Sequence, residues 1–189
     1  MLKFNEDSKN KFQFRLVRSY PPSEDFKRTL NESHSIYERY QMTIHGDSKF
    51  ACSLSQFKGF LCQSTLQKES LAKNPACGYG SFHLQYYLND KMIACSVIDI
   101  LPGGLSSVYF YYEPDFDFLK LGVYSALKYD LFVLFRSFMF LFVYREIELT
   151  RQLASEVPDI KYYYLGFYVH SCVKMRYKVR IAFYVGVGD

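Results

Sequence analysis

Apolar and polar positions alternate with period two in several stretches of this chain and recur at helical spacing in others. Phe12, Phe14 and Leu16, set against Gln13, Arg15 and Val17, predict a short half-buried strand that Tyr20-Pro21-Pro22 stops. Ser23 ahead of Glu24 and Asp25 has the chemistry of a helix N-cap. Phe26, Leu30, Ile36, Tyr37 and Tyr40 then carry a helix to about His45-Gly46, with a break expected near Asn31. Residues 47–76 are polar on average, but Phe57, Phe60, Leu61 and Leu66 predict one amphipathic helical segment among them.

The middle of the chain is the most explicit. Phe82, Leu84, Tyr86 and Leu88 alternate with His83, Gln85 and Tyr87, and Asn89-Asp90-Lys91 turns the chain into a second strand from Met92 to Ile100. Leu101-Pro102-Gly103-Gly104 makes another turn, and Val108, Phe110 and Tyr112 alternate with Ser107, Tyr109 and Tyr111. A three-stranded antiparallel meander follows, in which alternation predicts that only one of Tyr111 and Tyr112 faces the core. Pro114 ends the third strand, Asp115 and Asp117 suit a cap for a helix over 119–128, and a further strand is expected from Tyr162 to Val169. Strands, helix and strand in that order give an α+β class.

One stretch breaks the pattern: Leu131 to Tyr144 is almost wholly Phe, Leu, Val and Met, interrupted by Arg136 and Ser137. It is shorter than the roughly 20 apolar residues a membrane span needs. Val123, Ala126 and Leu127 share one helical face, and Ile147, Thr150 and Ala154 continue that face if residues 129–145 are removed. At about 100° per residue, a helical insert of that length rotates the second stripe by roughly a quarter turn. Residues 129–145 therefore read as an insert in one amphipathic helix.

Composition narrows the class. With 189 residues and 49% hydrophobic content the chain can bury one sizeable core, and ordinary Gly (10) and Pro (6) numbers exclude collagen-like and low-complexity classes. Tyr (18) and Phe (18) dominate with no Trp, which suits a polar aromatic groove. The net charge of +4 and pI of about 8.7 permit a phosphate-rich partner, but Lys and Arg form no run that would make a nucleic-acid tail. The five cysteines have neither CxxC nor zinc spacing, so no metal is expected and they read as free intracellular thiols. Residues 1–11 are a polar tail without the apolar segment of a secretory signal.

Several motifs together resemble one family: Arg39-Tyr40-Gln41-Met42-Thr43-Ile44-His45, Gly78-Tyr79-Gly80-Ser81-Phe82-His83, Val97-Ile98-Asp99-Ile100-Leu101-Pro102, Ser106-Ser107-Val108-Tyr109, Leu121-Gly122-Val123-Tyr124-Ser125, and Tyr162-Tyr163-Tyr164-Leu165-Gly166-Phe167-Tyr168 through His170-Ser171-Cys172. In this order they resemble the C-terminal half of arginyl-tRNA-protein transferases. The likeness covers most of 12–178 outside the insert. It implies the acyltransferase fold of GCN5-type N-acetyltransferases: an antiparallel meander with flanking helices, whose last two strands splay to admit an acyl donor. The implied activity is transfer of arginine from arginyl-tRNA to the α-amino group of an N-terminal Asp or Glu, marking proteins in the N-degron and ubiquitin conjugation pathways. The implied setting is cytoplasmic and also nuclear, with arginyl-tRNA as donor, no cofactor in this chain and no membrane. Three departures stand out: the family's cysteine-bearing N-terminal domain is missing ahead of Met1, residues 129–145 interrupt a continuous helix, and residues 179–189 do not continue the family pattern. These leave a second reading open, an inactive splice form that binds tRNA or protein without turnover. CoA-dependent acetyl transfer is disfavoured because no Gly-rich pyrophosphate loop precedes Leu119.

Asp99 is the candidate catalytic group, because a carboxylate in the apolar run Ile98-Asp99-Ile100 is costly to bury unless it is paired. It could bind the arginyl guanidinium or the attacking amine, or cap the turn that follows. Under the resemblance, Gln41, His45, His83, Gln85, Tyr112 and His170 are substrate-binding candidates, each with a plain structural alternative. Gly122, at the start of the expected helix over 119–128, would let a tRNA 3′ end approach or would simply pack. Lys174 and Arg176 form a basic cluster with Lys178 that suits a phosphate or an acidic side chain, or is a solvated face.

Overall fold

The computed structural model describes residues 11–67, 73–116, 138–166 and 170–171. Strand β1, Phe12–Tyr20, leads into helix α1, Glu24–Tyr40, whose N-cap Ser23 accepts a hydrogen bond from the Phe26 amide. Asp25 and Glu24 in its first turn match the positive end of the helix dipole. The helix runs through Asn31 without the expected break and widens into a π turn over Gln41–His45, which Gly46 closes at φ +73°. That left-handed conformation is where glycine is favoured. A short helix α2, Leu54–Phe57, and a second π turn, Lys58–Cys62, supply the expected helical segment, which ends before Leu66.

Strands β2 (Gly80–Leu88), β3 (Lys91–Leu101) and β4 (Gly104–Tyr112) form the meander. Asn89 and Asp90 take positive φ in the two-residue hairpin between the first two. Helix α3, Phe138–Glu156, returns the chain to β5, Tyr162–Tyr164, which pairs parallel with β4 and completes a sheet of order β1-β2-β3-β4-β5. Gly104 lies so close to this seam that an added Cβ would sit 2.2 Å from the Tyr162 carbonyl oxygen. Pairing ends at Ser106 and Tyr164, so β4 continues to Tyr112 beyond the last paired residue of β5. The last described residues expected in this strand, Leu165 and Gly166, leave the ladder. The helix expected over 119–128 lies outside the described residues, as does the expected insert up to position 137. Residues 138–145 form the first turns of α3, where Phe142 and Val143 are buried.

Both faces of the sheet are covered. Phe82, Leu84, Tyr86, Ile98, Ile100, Leu105 and Tyr112 pack toward α3, while Tyr87, Cys95, Val97 and Tyr111 pack toward α1 and α2. Tyr111 and Tyr112 are therefore both buried, contrary to the expectation that only one would be. A two-sided sheet needs no polar face. Val97 pairs with Tyr109 and Ile98 with Ser107, which leaves Val108 as a one-residue bulge in β4.

Candidate functional site

The bottom of β3 carries the site. Asp99 stands opposite Ser81 on β2 and Ser106 on β4, and Ser106 stands opposite Tyr164 on β5. Tyr20 on β1 stands opposite Ser81 in turn, so one row of directly paired residues crosses all five strands with a carboxylate at its centre and an exposed tyrosine at each end. Asp99 Oδ1 accepts a hydrogen bond from Ser81 Oγ at 2.6 Å, and Ser81 Oγ lies 2.7 Å from Ser64 Oγ. A hydroxyl has one proton to give, so with Asp99 ionised Ser81 donates to Asp99 and accepts from Ser64. Burial pushes the Asp99 carboxyl above its ordinary range, and the Ser81 hydrogen bond pulls it partly back. These contacts run across strands β2 and β3.

Ser64 also lines a cavity of about 630 Å³ at this end of the sheet, with Arg18, Tyr20, Tyr79, Pro102 and the backbone of Gly78 and Gly80. The Arg18 guanidinium donates to the carbonyl oxygens of Tyr79 and Cys77 and lies over the Phe82 ring, its Cζ 4.4 Å from the centroid. Hydroxyls, a guanidinium and aromatic rings thus converge on one partly enclosed volume that the Ser64-Ser81-Asp99 chain joins to a carboxylate.

The other candidates do not converge there. Gln41 is buried at the end of α1, donating to Tyr37 and Asp47 and accepting from the Tyr109 hydroxyl at 2.9 Å. Gln85 is buried too, donating to Thr29 Oγ1 at 2.8 Å and accepting from the Tyr87 hydroxyl. His83 has no exposed surface: its Nε2 lies 2.9 Å from the Leu61 carbonyl oxygen, and its ring meets Phe26 and Phe57 edge to face. Burial drives its pKa down to about 4, so the ring is neutral. These three side chains tie helices to the sheet and are enclosed by the protein. His45 packs edge to face on Tyr40, which packs likewise on the buried Tyr112. That cluster lies toward the other end of β3, because Tyr112 is opposite Ala94, five residues from Asp99, or about 17 Å along a strand. His170 is exposed in a turn after Gly166. Gly122, Lys174 and Arg176 lie outside the described residues.

Sequence reasoning passed over a fully buried carboxylate on α3. Glu146 on α3 has no exposed surface, and its Oε2 accepts a hydrogen bond from the Tyr163 hydroxyl at 2.7 Å. Burial raises its pKa to about 7, against the opposing pull of Tyr163, Ser96 and Ser107. The signal was available: Glu146 shares the buried stripe of Val143, Thr150 and Leu153 at spacings of three and four. Among the described residues no group of His, Cys, Asp and Glu could hold a metal ion, and Cys52, Cys62, Cys77 and Cys95 are free thiols. Cys172 lies outside them. Among the described residues no helix is long and apolar enough to cross a membrane.

The family model described as "Arginine-tRNA-protein transferase, C terminus" matches residues 32–183. The chain belongs to the arginine-tRNA-protein transferase C-terminus family. It is 45% identical over 178 residues to arginyl-tRNA--protein transferase 1 of Drosophila melanogaster, covering 94% of this chain and 32% of that protein. It is 41% identical over 150 residues to the Arabidopsis thaliana protein of the same name, covering 78% and 21%. A bacterial relative, the aspartate/glutamate leucyltransferase of Acinetobacter baylyi, is 27% identical over 169 residues, covering 85% and 49%. The chain thus spans about a third of the fruit-fly relative. Among solved structures, a possible acetyltransferase from Clostridium difficile 630 aligns with a TM-score of 0.48 at 11% identity, covering 90% of this chain and 88% of that one. In this transferase-family chain Ser64, Ser81 and Asp99 fall inside the matched segment, whereas Arg18 and Tyr20 precede it.

Proposed function

We propose that this chain carries out the transfer step of an arginyl-tRNA-protein transferase, moving arginine from arginyl-tRNA to the α-amino group of a protein whose first residue is Asp or Glu, as in N-degron marking. The Ser64-Ser81-Asp99 chain, which reaches the 630 Å³ cavity at Ser64, carries this reading. The donor is an activated ester, so the chemistry asks only for a neutral amine held against the carbonyl carbon. An α-amino group has an unperturbed pKa of about 7.7–8.0 and is largely protonated at neutral pH. An ammonium in the cavity gives a proton to Ser64, Ser64 gives its own to Ser81, and Ser81 gives its own to Asp99. The freed amine forms the new C–N bond, the ester C–O bond breaks, and the amine's second proton leaves with the ribose oxygen. Asp99 is raised by burial toward the amine's range, which makes it a better acceptor than an exposed carboxylate.

The relatives named as arginyl and as leucyl transferases differ in the amino acid their names say they transfer, and the bacterial name specifies aspartate and glutamate. This supports an acidic acceptor as the shared element. The test is transfer of labelled arginine from arginyl-tRNA to a peptide beginning with Asp. The wild-type chain is expected to transfer, and Asp99→Asn to lose about 100-fold in kcat with its fold intact. Full activity in that variant would remove Asp99 from the chemistry, and tRNA binding without transfer would identify a binding module instead.

A further inference from the structure

We infer that Arg18 reads the acidic side chain of the acceptor's first residue, its guanidinium taking that carboxylate inside the cavity at the ends of β1, β2 and β3. The inference rests on the reading of this cavity as the acceptor's seat. Arg18 precedes the segment matched by the family model, so that match gives it no role.

The loop before β2 is shaped around this guanidinium. Gly78 and Gly80 take φ of +74° and +129°, and a Cβ on either would lie 2.8 Å from Nη2 or 2.7 Å from Nη1. A side chain at either position would push the guanidinium away, so the two glycines admit it as well as bend the chain. The Tyr79 and Cys77 carbonyls accept from Nη1 and Nη2, and the Phe82 ring supports one face of the ion. The group is therefore fixed in place before any ligand arrives.

Among the described residues no acid pairs with its charge. A guanidinium has five N–H donors, of which two are used by carbonyls among the described residues. The ion pairs among the described residues are Lys27–Glu24, Arg28–Asp25 and Arg39–Glu113, and none involves Arg18. A held, half-buried cation in the wall of a cavity favours an anion, and its planar fork favours a carboxylate.

Arg18 shares the α3 face of the sheet with Phe82 and Asp99 faces the α1 side with Ser81, so the two charged elements meet only at the strand ends, where Arg18 and Ser64 line the same cavity. Arg18 stands opposite Phe82, next to Ser81, and Ser81 stands opposite Asp99. At strand spacings of about 4.8 Å the Arg18 and Asp99 backbones are about 10 Å apart, and Ser64 brings the Asp99 hydroxyl chain to the cavity wall. An N-terminal Asp or Glu carries an ammonium and a carboxylate in one residue. The cavity offers a proton acceptor for the first and a guanidinium for the second, whereas an internal acidic residue brings only the carboxylate and an N-terminal Asn only the ammonium.

The test is binding of two labelled peptides that differ only in the first residue, Asp or Asn, measured by fluorescence anisotropy on the full chain. The wild type is expected to bind the Asp peptide about tenfold or more tightly than the Asn peptide. Arg18→Gln is expected to erase that preference while retaining the weaker Asn-peptide affinity. A folded Arg18→Gln that keeps the preference overturns the role of Arg18, as does a wild type indifferent to the two peptides. If Arg18→Gln does not fold, the wild-type Arg18 side-chain Nε–Hε NMR signal decides. It should shift with the Asp peptide and not the Asn peptide, and an equal response to both overturns the inference. A CCA trinucleotide whose binding depends on Arg18, with no such dependence for the acidic peptide, would also overturn it in favour of a phosphate site. Arginine transfer is measured in parallel: equal transfer to the Asp peptide by wild type and Arg18→Gln rejects Arg18 and leaves the transferase reading standing.

Discussion

The Arg39 guanidinium at the end of α1 grips the carboxylate of Glu113, the residue after β4, with Nε 2.9 Å and 3.1 Å from its two oxygens and Nη2 closing the fork. The Glu113 side chain is only 3% exposed, and Arg39 covers it from a half-exposed position. Such a pair adds little over apolar packing, but removing one partner strands a buried charge. Arg39→Ala is expected to cost about 2–3 kcal/mol in urea denaturation, and Glu113→Gln distinctly less, because it leaves no buried charge behind. Equal losses in the two variants would show that packing rather than charge sets the effect.

Glu146 makes the protein sensitive to rising pH. Its pKa is near 4.5 in the unfolded chain and about 7 in the folded one, so between those values the folded state holds the extra proton. Stability therefore falls as pH rises through that window and is fully lowered above about pH 7, by roughly 3 kcal/mol. Glu146→Gln should remove this slope, and thermal denaturation of the two proteins from pH 4.5 to 8 should diverge accordingly. Parallel curves would mean that the carboxyl is ionised throughout.

His83 acts in the opposite sense. Its folded pKa of about 4 lies below the unfolded value of 6.5, so as pH falls from about 6.5 to 4 the unfolded chain takes up a proton that the folded one refuses. This contributes a loss of roughly 3 kcal/mol toward acid. Where the two windows overlap, the slopes of His83 and Glu146 oppose each other. The wild type should be flatter in this range than either Glu146→Gln, which exposes the acid loss, or His83→Gln, which exposes the loss toward neutrality. A wild-type curve as steep as both variants would sink this account.

Ser81 separates proton relay from simple packing. Ser81→Ala removes the link between Ser64 and Asp99 and deletes one oxygen from the sheet. It is expected to lower kcat about tenfold or more at neutral pH with little change in KM. Raising the pH, which deprotonates the amine without help, should restore much of the loss. A deficit that is constant with pH would point to misplacement of substrate instead.

The meander, its turns and the N-cap Ser23 were legible because alternation, Asn-Asp and Pro-Gly-Gly turns and capping chemistry are local signals. What alternation could not convey is that both sheet faces are covered. Gln85 and His83 therefore stood as substrate-binding candidates beside a structural alternative, and they face α1 and the α2 region, where Gln85 meets Thr29 and His83 meets the Leu61 carbonyl. Asp99 was legible because its cost in an apolar strand is local. Its partners Ser64 and Ser81 were not, since they lie 17 residues apart in sequence and meet only after the sheet forms. Arg18 carries no local signal, and only the close approach of Gly78 and Gly80 to its guanidinium gives it meaning.

The bulge at Val108 makes β4 a phase shifter. Leu105 and Ser107 lie on the α3 side, and so do Phe110 and Tyr112, although one pair is odd-numbered and the other even. Without the extra residue, every side chain beyond it would turn over. Tyr111 would leave the Ser33 hydroxyl, 2.6 Å away across the α1 side, and Tyr112 would leave the aromatic layer it shares with Phe110 and Phe142. Deleting Val108 therefore amounts to rewriting the second half of the strand, and a single exposed valine keeps two cores in step.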